Sequence, residues 1–237
     1  GSYVIGYASH AEGGATAAQA RFAHSEGQAT VAYGDVSHAE GYSTQALGAE
    51  SHAEGYGSIA SGSTSHAEGQ ITIAAGYASH AEGYNTRAWG DYSHAEAEAC
   101  QSYGASSHAE GTHTFSYGQY SHSEGWYTTA SGSYSHAEGI STLAISAASH
   151  AEGQNSIASG SYSHAEGAFT AASGSASHTE GYKTITTINA VYGHAEGYLT
   201  TSDAQGAHAE GINGTASAQY SHVEGNNSKT IIGADWS

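Results

Sequence analysis

Small and large residues alternate along this chain in segments of five. Within residues 51–64, the first segment (51–55) reads Ser-His-Ala-Glu-Gly and the second (58–62) reads Ser-Ile-Ala-Ser-Gly, with a two-residue connector after each. A period of two is typical of β-strands and predicts that Ser, Ala and Gly share one face while the larger residues share the other. A helix is disfavoured because glycine recurs every seven residues and the segments are short.

The two segments recur together with a fixed period. A His-x-Glu pair, most often within Ser-His-Ala-Glu-Gly, occurs sixteen times, and successive motif histidines are fourteen residues apart except for the sixteen-residue step from His178 to His194. So short a period is the signature of stacked coils rather than of a globular core. Fourteen residues are too few for a three-sided β-helix. The sequence therefore predicts an all-β chain, a parallel β-solenoid whose 14-residue coils each hold two short strands in a two-sided roll.

The period also sets the predicted domain organisation. Residues 1–225 are expected to form a single β-roll of about sixteen repeats, with an irregular insertion at 183–192 that bulges from the roll. Residues 226–237 lose the motif, and we expect them to be the end of the roll or a transition to a following segment. Because the sequence starts inside the pattern and without Met, we expect it to be a piece of a longer protein.

Composition narrows the class of protein. The chain has 22 acidic residues against 4 basic ones, for a formal net charge of -18, which argues against nucleic acid and anionic membrane surfaces as partners. No stretch has the length and apolarity of a transmembrane helix or the form of a signal peptide, so we expect no direct membrane insertion. The single Cys100 excludes an intrachain disulfide and falls on a small-residue position, which predicts a core residue.

The doubled spacing Ser-x-Ala-x-Gly-x-x resembles the head repeats of trimeric autotransporter adhesins, the YadA-like heads, and related bacteriophage tail-fibre segments. The resemblance covers nearly all of residues 2–233. It implies a left-handed parallel β-roll, a homotrimeric rod, and an extracellular location on a cell surface or virion. The adhesin heads favour two aliphatic residues where this chain has His and Glu. Independently, a core of methyl and hydroxymethyl groups buries too little apolar surface for a lone chain, which predicts self-association.

The outward His and Glu rows are the main candidate chemistry. In an in-register stack they form two adjacent ladders, which we interpret as a structural element in which His donates to carboxylate. Metal binding is the alternative, because His and Glu are common zinc ligands; no other cofactor is expected. Catalysis is not expected, since an active site needs one distinctive constellation rather than sixteen copies. The ladder comprises His10, Glu12, His24, Glu26, His38, Glu40, His52, Glu54, His66, Glu68, His80, Glu82, His94, Glu96, His108, Glu110, His122, Glu124, His136, Glu138, His150, Glu152, His164, Glu166, His178, Glu180, His194, Glu196, His208, Glu210, His222 and Glu224.

Two surfaces are candidates for contacts with other molecules. Contact with solvent rarely requires the same His and Glu in all sixteen repeats, whereas a repeating contact with two other chains would. We therefore expect the His–Glu face to lie at the contact between subunits, near the trimer axis. On the other outward face the side chains change along the chain, from apolar residues such as Ile73 and Leu143 to charged ones such as Arg87 and Asp203. We expect this face to be where the recognition of a binding partner varies. Aromatic residues at the connectors either pack within the rod or serve as platforms for a glycan or a protein. The possible contact surface comprises Tyr42, Tyr56, Tyr84, Trp89, Trp126, Tyr134, Tyr162 and Lys183.

These patterns together predict a non-enzymatic structural and binding segment of a trimeric surface fibre, an adhesin head or a phage tail fibre, that mediates attachment to a host or surface. Its expected partners are two further copies of itself and a surface receptor, a glycan or a matrix protein. The alternative is a metal- or pH-responsive fibre that uses the His–Glu ladders as ion sites.

Overall fold

A computed structural model describes residues 1–230 of the chain. These residues form β-strands and no helix, and they divide into two compact units, Gly1–Tyr120 and a second that begins at Ser121. Each unit is a parallel β-solenoid, and the two together contain about sixteen coils. The prediction of an all-β parallel solenoid is therefore confirmed. Within residues 1–230 no helix is long and apolar enough to cross a membrane.

Each coil contributes one strand that starts at the motif histidine, here called the motif strand, and one strand from the second segment, the companion strand. In the first unit the motif strands are β2 (His10–Gly14), β4 (His24–Gln28), β6 (His38–Ala39), β8 (His52–Ala53), β10 (His66–Gln70), β12 (His80–Tyr84), β14 (His94–Ala95) and β16 (His108–Thr112). The companion strands are β1 (Tyr3–Val4), β3 (Ala17–Ala18), β5 (Val31–Ala32), β7 (Gln45–Ala46), β9 (Ile59–Ala60), β11 (Ile73–Ala74), β13 (Arg87–Ala88), β15 (Gln101–Ser102) and β17 (Phe115–Ser116). Motif strands pair only with motif strands and companion strands only with companion strands, so the unit has two parallel sheets.

The second unit repeats this arrangement. Its motif strands are β18 (His122–Trp126), β20 (His136–Ile140), β22 (His150–Ala151), β24 (His164–Ala168), β26 (His178–Tyr182), β28 (His194–Tyr198), β30 (His208–Ile212) and β32 (His222–Val223). Its companion strands are β19 (Thr129–Ala130), β21 (Leu143–Ala144), β23 (Ile157–Ala158), β25 (Ala171–Ala172), β27 (Ile185–Thr186), β29 (Thr201–Ser202) and β31 (Thr215–Ala216).

Neighbouring coils pair in strict register, so each residue lies beside its counterpart in the next repeat. His38 pairs with His52 and Ala39 with Ala53 in the motif sheet. The companion strands, at two residues each, are shorter than the five-residue segments predicted from the alternation, because the backbone turns sharply at the connectors. Thr64 and Ile71, which flank the motif of one coil, both adopt positive φ angles, of 55° and 60°. Side-chain periodicity does not reveal these torsions.

The core consists of small side chains, as the alternation predicted. The motif Ser and Ala, such as Ser65 and Ala67, are almost completely buried, and so is the companion-strand Ala, such as Ala74. Among the described residues the largest fully buried side chains are threonines, most of them from the first slot of the companion segment, such as Thr72. Serine also closes the coil, because the hydroxyl of Ser65 donates to the carbonyl oxygen of Gly62 at 2.7 Å.

Cys100 occupies the same slot as the buried threonines. Its side chain is fully buried, and its Sγ–H lies 3.2 Å from the carbonyl oxygen of Gly111. Burial raises the pKa of the Cys100 thiol, which keeps it protonated and unreactive. The prediction of a core residue is confirmed.

The motif glycine was predicted to face inward, and this prediction was wrong. The companion-segment glycine, such as Gly62, is buried, whereas motif glycines such as Gly55 and Gly69 are exposed. Gly69 has a φ of +101°, and a Cβ placed on it would lie 2.3 Å from the carbonyl oxygen of Gly83 in the next coil. Glycine is required there by a left-handed backbone and by the close approach of the neighbouring coil, and not by the thickness of the core.

The two extra residues of the 183–192 insertion form a turn after the companion strand. The turn contains Ile188 and Asn189, and the N–H of Ala190 donates to the carbonyl oxygen of Thr187 at 3.0 Å. The Ile188 side chain is 77% exposed. Strand β27 keeps its pairing on both sides, so the insertion bulges outward without disturbing the sheet.

The roll continues past the last motif as far as the structure describes it. Asn226 forms a bridge with Ile212, and Lys229 forms one with Thr215. The first residues of the segment 226–237, predicted to be the end of the roll or a transition, thus still pair with the preceding coil. Residues 231–237 lie outside the described part of the chain.

Replacing Gly69 by Ala should lower the free energy of unfolding by about 3 kcal/mol, because the new Cβ would meet backbone and the φ angle disfavours any L side chain. Gly57→Asn is the control. A Cβ on Gly57 would meet only Cγ1 of Ile71, at 3.9 Å, and Asn85 occupies the equivalent slot with a φ of 56°, so its effect should stay within about 0.5 kcal/mol. Denaturant unfolding followed by circular dichroism measures both, and equal effects would contradict the role assigned to the motif glycine.

Candidate functional site: the histidine–glutamate ladder

The motif histidines and glutamates form two parallel rows on the outer face of the motif strands. Alternation with buried Ser and Ala directs both side chains outward, and backbone pairing fixes their spacing along the roll. In some coils a threonine after the motif holds the turn: the hydroxyl of Thr44 donates to the carbonyl oxygen of Glu40 at 3.0 Å, and Thr86 does the same to Glu82. In these coils the hydrogen bond fixes the backbone that follows the glutamate.

The imidazole rings stack on one another within each unit. From His24 to His108 the ring centroids are 4.7–4.9 Å apart with interplanar angles of 1–6°. From His122 to His222 the separations are 4.6–4.9 Å and the angles 2–15°. The first ring, His10, departs from this order and meets His24 edge-on at 60°. The stack thus presents one Nε2 atom per coil along a continuous row.

Carboxylates of the ladder lie close to imidazole nitrogens, but the contact changes along the chain. At the start of the first unit it is with the glutamate of the same coil, at 3.2 Å for His10 and 3.7 Å for His24. In the first unit Nε2 of His52, His66, His80, His94 and His108 lies 3.2–3.6 Å from the glutamate of the preceding coil. From His122 to His208 the close contact is with the glutamate of the same coil, at 3.4–4.0 Å. Glu40 shows that both contacts can coexist, since it lies 4.0 Å from His38 and 3.6 Å from His52.

The ladder is half-buried even in a single chain. The side chains of His80 and Glu68 are each about a third exposed, at 34% and 33%. The Nε2 atoms of His66, His80 and His150, however, are buried and make no hydrogen bond. These three nitrogen atoms are shielded from water and lie 3.4–3.6 Å from the nearest glutamate oxygen, slightly beyond the usual hydrogen-bonding distance.

Burial and the neighbouring rings act on the histidine pKa values. Desolvation, followed by repulsion from adjacent imidazoles, lowers the pKa of His38, His66, His94, His150 and His194, and the nearby glutamates only partly oppose this. At these five positions the folded chain consequently favours neutral imidazole.

Glu54 shares protons with the glutamates of the two neighbouring coils. Hydrogen bonding with Glu40 and Glu68, with a smaller contribution from burial, raises the pKa of Glu54 to about 7. The same hydrogen bonds lower the pKa of Glu40 and of Glu68. Protons held between stacked carboxyl groups relieve the repulsion that in-register pairing of like charges would otherwise cause.

The residues of the predicted contact surface are exposed, but they do not form one patch. Tyr42 and Tyr56 stack at 5.0 Å, whereas Tyr134 and Tyr162 stand at connectors and are 66% and 73% exposed. Tyr84 and Trp126 are also about half exposed. Lys183 lies 5.3 Å from the ring centre of Tyr182.

The companion face also carries an aromatic row, of which only Trp89 was included in the predicted contact surface. Trp89, Tyr103 and Tyr117 stack along the roll with centroid separations of 6.4 and 4.9 Å, and Phe115 lies 6.0 Å from Tyr117. These residues are spaced by the repeat length, so their alignment could have been found from the sequence. The three stacked rings are 41–48% exposed and form an apolar strip beside the polar side chains of Gln101 and Arg87.

A comparison with models of known protein families gives no match, and a comparison with curated proteins gives none either. Function is therefore inferred from the geometry of the chain itself.

Acidification should destabilise the chain. A histidine whose pKa is lowered by folding contributes stability that is present above its usual pKa of about 6.5 and is lost as the pH falls toward the lower folded value. The thermal midpoint should therefore be lower at pH 5.5 than at pH 7.5, with Glu54 offsetting part of the loss. A thermal midpoint that does not change between these pH values would contradict the shielding of the imidazoles.

Glu54→Gln should stabilise the chain at alkaline pH, because the stability contributed by Glu54 changes with pH in the opposite direction to that of the histidines. A carboxyl whose pKa is raised contributes stability that is lost as the pH rises through the folded value, here about 7. Gln stays neutral and can donate to Glu40 and Glu68, so the variant should gain up to about 1 kcal/mol over the parent chain at pH 8.5 and nothing at pH 5. Glu50→Gln removes the same charge from an exposed connector and is the control; identical pH profiles for the two variants would count against proton sharing.

Proposed function

We propose that this chain is a structural and binding segment of a homotrimeric surface fibre built from 14-residue coils of a left-handed β-roll. Its role is non-enzymatic: it extends from a cell surface or virion and attaches to a host or surface through repeated side-chain contacts. The resemblance to YadA-like heads and tail-fibre segments supports the proposal, and so does the in-register stacking of identical coils.

One observation carries this proposal: the bulky apolar side chains lie outside the core. The buried interior is dominated by alanine, serine and threonine, while Tyr33, Leu47 and Ile145 are 60%, 36% and 46% exposed. Exposed apolar surface of this extent marks sites of association in soluble proteins. A chain with such small core residues gains most of its remaining apolar burial from partners.

The two outer faces have different chemistry, which supports a division of roles. The ladder face repeats His and Glu in every coil, as expected of a surface that meets identical surfaces of two other copies. The companion face changes from coil to coil, from Ile73 to Arg87 to Gln101. We therefore assign subunit contacts to the ladder face and contacts with a receptor, glycan or matrix protein to the companion face and its aromatic strip.

The oligomeric state tests the first part of this proposal. Analytical ultracentrifugation should give about three times the 24.0 kDa chain mass, and a monomer at micromolar concentration would overturn the trimer.

Two double variants then separate the faces. Glu54→Arg with Glu68→Arg places like charges on the ladder face and should weaken trimer association at least about tenfold. Ile59→Arg with Ile73→Arg changes the companion face of the same coils, is equally half-buried, and should leave the trimer intact. The reverse outcome would exchange the roles of the two faces.

A further inference from the structure

The ladder groups its nitrogen and oxygen atoms in threes. In His66, Glu68 and His80 one ligand atom from each residue lies within 4.8 Å of the other two, and the same combination recurs in His150, Glu152 and His164. Each group contains two imidazoles from successive coils and the glutamate of the first coil. Because the repeat creates these groups, they occur in both units of the chain.

The donor set is suited to a borderline divalent ion. Neutral imidazole nitrogen and carboxylate oxygen are ordinary zinc ligands, and two histidines with one glutamate leave a fourth position for water or a group from another chain. The Nε2 atoms of His66 and His80 are buried and make no hydrogen bond, so an ion would give them the partner they lack. Calcium and magnesium need several oxygen ligands and find only one carboxylate per group.

We propose that the ladder is a linear array of zinc-type sites, each formed by the Nε2 atoms of two successive motif histidines and the carboxylate of the first coil's glutamate. The proposal goes beyond the fibre role and does not depend on the trimer, because one chain supplies all three ligands. The chain's formal charge of -18 adds a general attraction for cations.

The stacking geometry limits how the sites fill. His66 and His80 stack at 4.9 Å with their planes 1° apart. Zinc binds imidazole nitrogen at about 2.0–2.1 Å in tetrahedral geometry, so two nitrogens on one ion lie about 3.3 Å apart. The ligand atoms of a group lie within 4.8 Å of one another, so the two Nε2 atoms must approach each other by up to about 1.5 Å as the rings tilt. Both side chains are only half-buried, so this movement is open to them.

Neighbouring sites also share ligands. His164 belongs to the group with His150 and to the group with His178, and its Nε2 has one lone pair and can bind one ion. Filling one site therefore excludes the sites on either side of it. The array saturates at one ion for every two motif histidines, which is at most about eight ions for the sixteen in the chain.

Metal counting tests the proposal directly. The chain, purified without a tag and stripped of metal, is equilibrated with Zn²⁺ alone at pH 7.5, separated from free ion and measured by elemental analysis. We expect between four and about eight bound ions per chain, with no comparable uptake of Mg²⁺. Fewer than one ion per chain overturns the site, and about sixteen overturns the sharing of histidines.

A set of variants tests the ligand assignment. Changing Glu54, Glu68, Glu82 and Glu96 together to Gln leaves every histidine in place and should remove about two ions per chain. Two control variants off the ladder, Glu50→Gln and His113→Ala, should bind as many ions as the parent. An unchanged ion count in the fourfold variant would show that histidine alone binds the metal and would overturn the proposed ligand set. Circular dichroism of each variant verifies that it is folded, and counting ions per chain gives the same answer for a monomer or a trimer.

Discussion

In-register pairing of successive coils is the constraint on which the rest of this structure depends. Parallel hydrogen bonding places each residue beside its counterpart in the next coil, as His38 lies beside His52. At the glycine slots the next coil leaves no room for a side chain; a Cβ on Gly27 would lie 2.2 Å from the carbonyl oxygen of Gly41. The narrow gap between the two sheets separately limits most of the interior to alanine, serine and threonine. A repeat that fits once must then fit again in every coil, which accounts for the near-invariance of the motif along the chain.

The same constraint creates the electrostatic problem of the ladder. Like groups from adjacent coils are held less than 5 Å apart, where two charges repel each other appreciably even at a surface. Two features of the ladder reduce this repulsion. Burial lowers the pKa of imidazoles such as His66, which keeps them neutral, and carboxyl groups such as Glu54 share protons with their neighbours. A bound divalent ion would be a third such feature, since it adds positive charge next to the carboxylates and gives buried nitrogens a partner.

Because the interior is narrow, the side chains that can contact other molecules lie on the outside of the roll. With its bulky side chains excluded from the core, the chain carries its aromatic and aliphatic residues on the companion face and at the connectors, where Trp89 and Tyr103 remain exposed. In the proposed function this surface serves association, with copies of the same chain or with a target. Repetition multiplies weak contacts along the roll, so a fibre gains avidity without any single strong site.

The sequence by itself determined the architecture. The fourteen-residue period and the alternation within it were enough to predict a parallel solenoid, two strands per coil, the inward Ser and Ala, and the core position of Cys100. The three-dimensional structure decided the remaining details. Periodicity assigns a residue to a face but not its backbone torsions, so the exposed, left-handed motif glycine at Gly55 was assigned to the wrong side. Nor does it fix which glutamate approaches each histidine or whether Nε2 is shielded from water. Those depend on rotamers and on the distance between coils, which exist only once the chain is stacked.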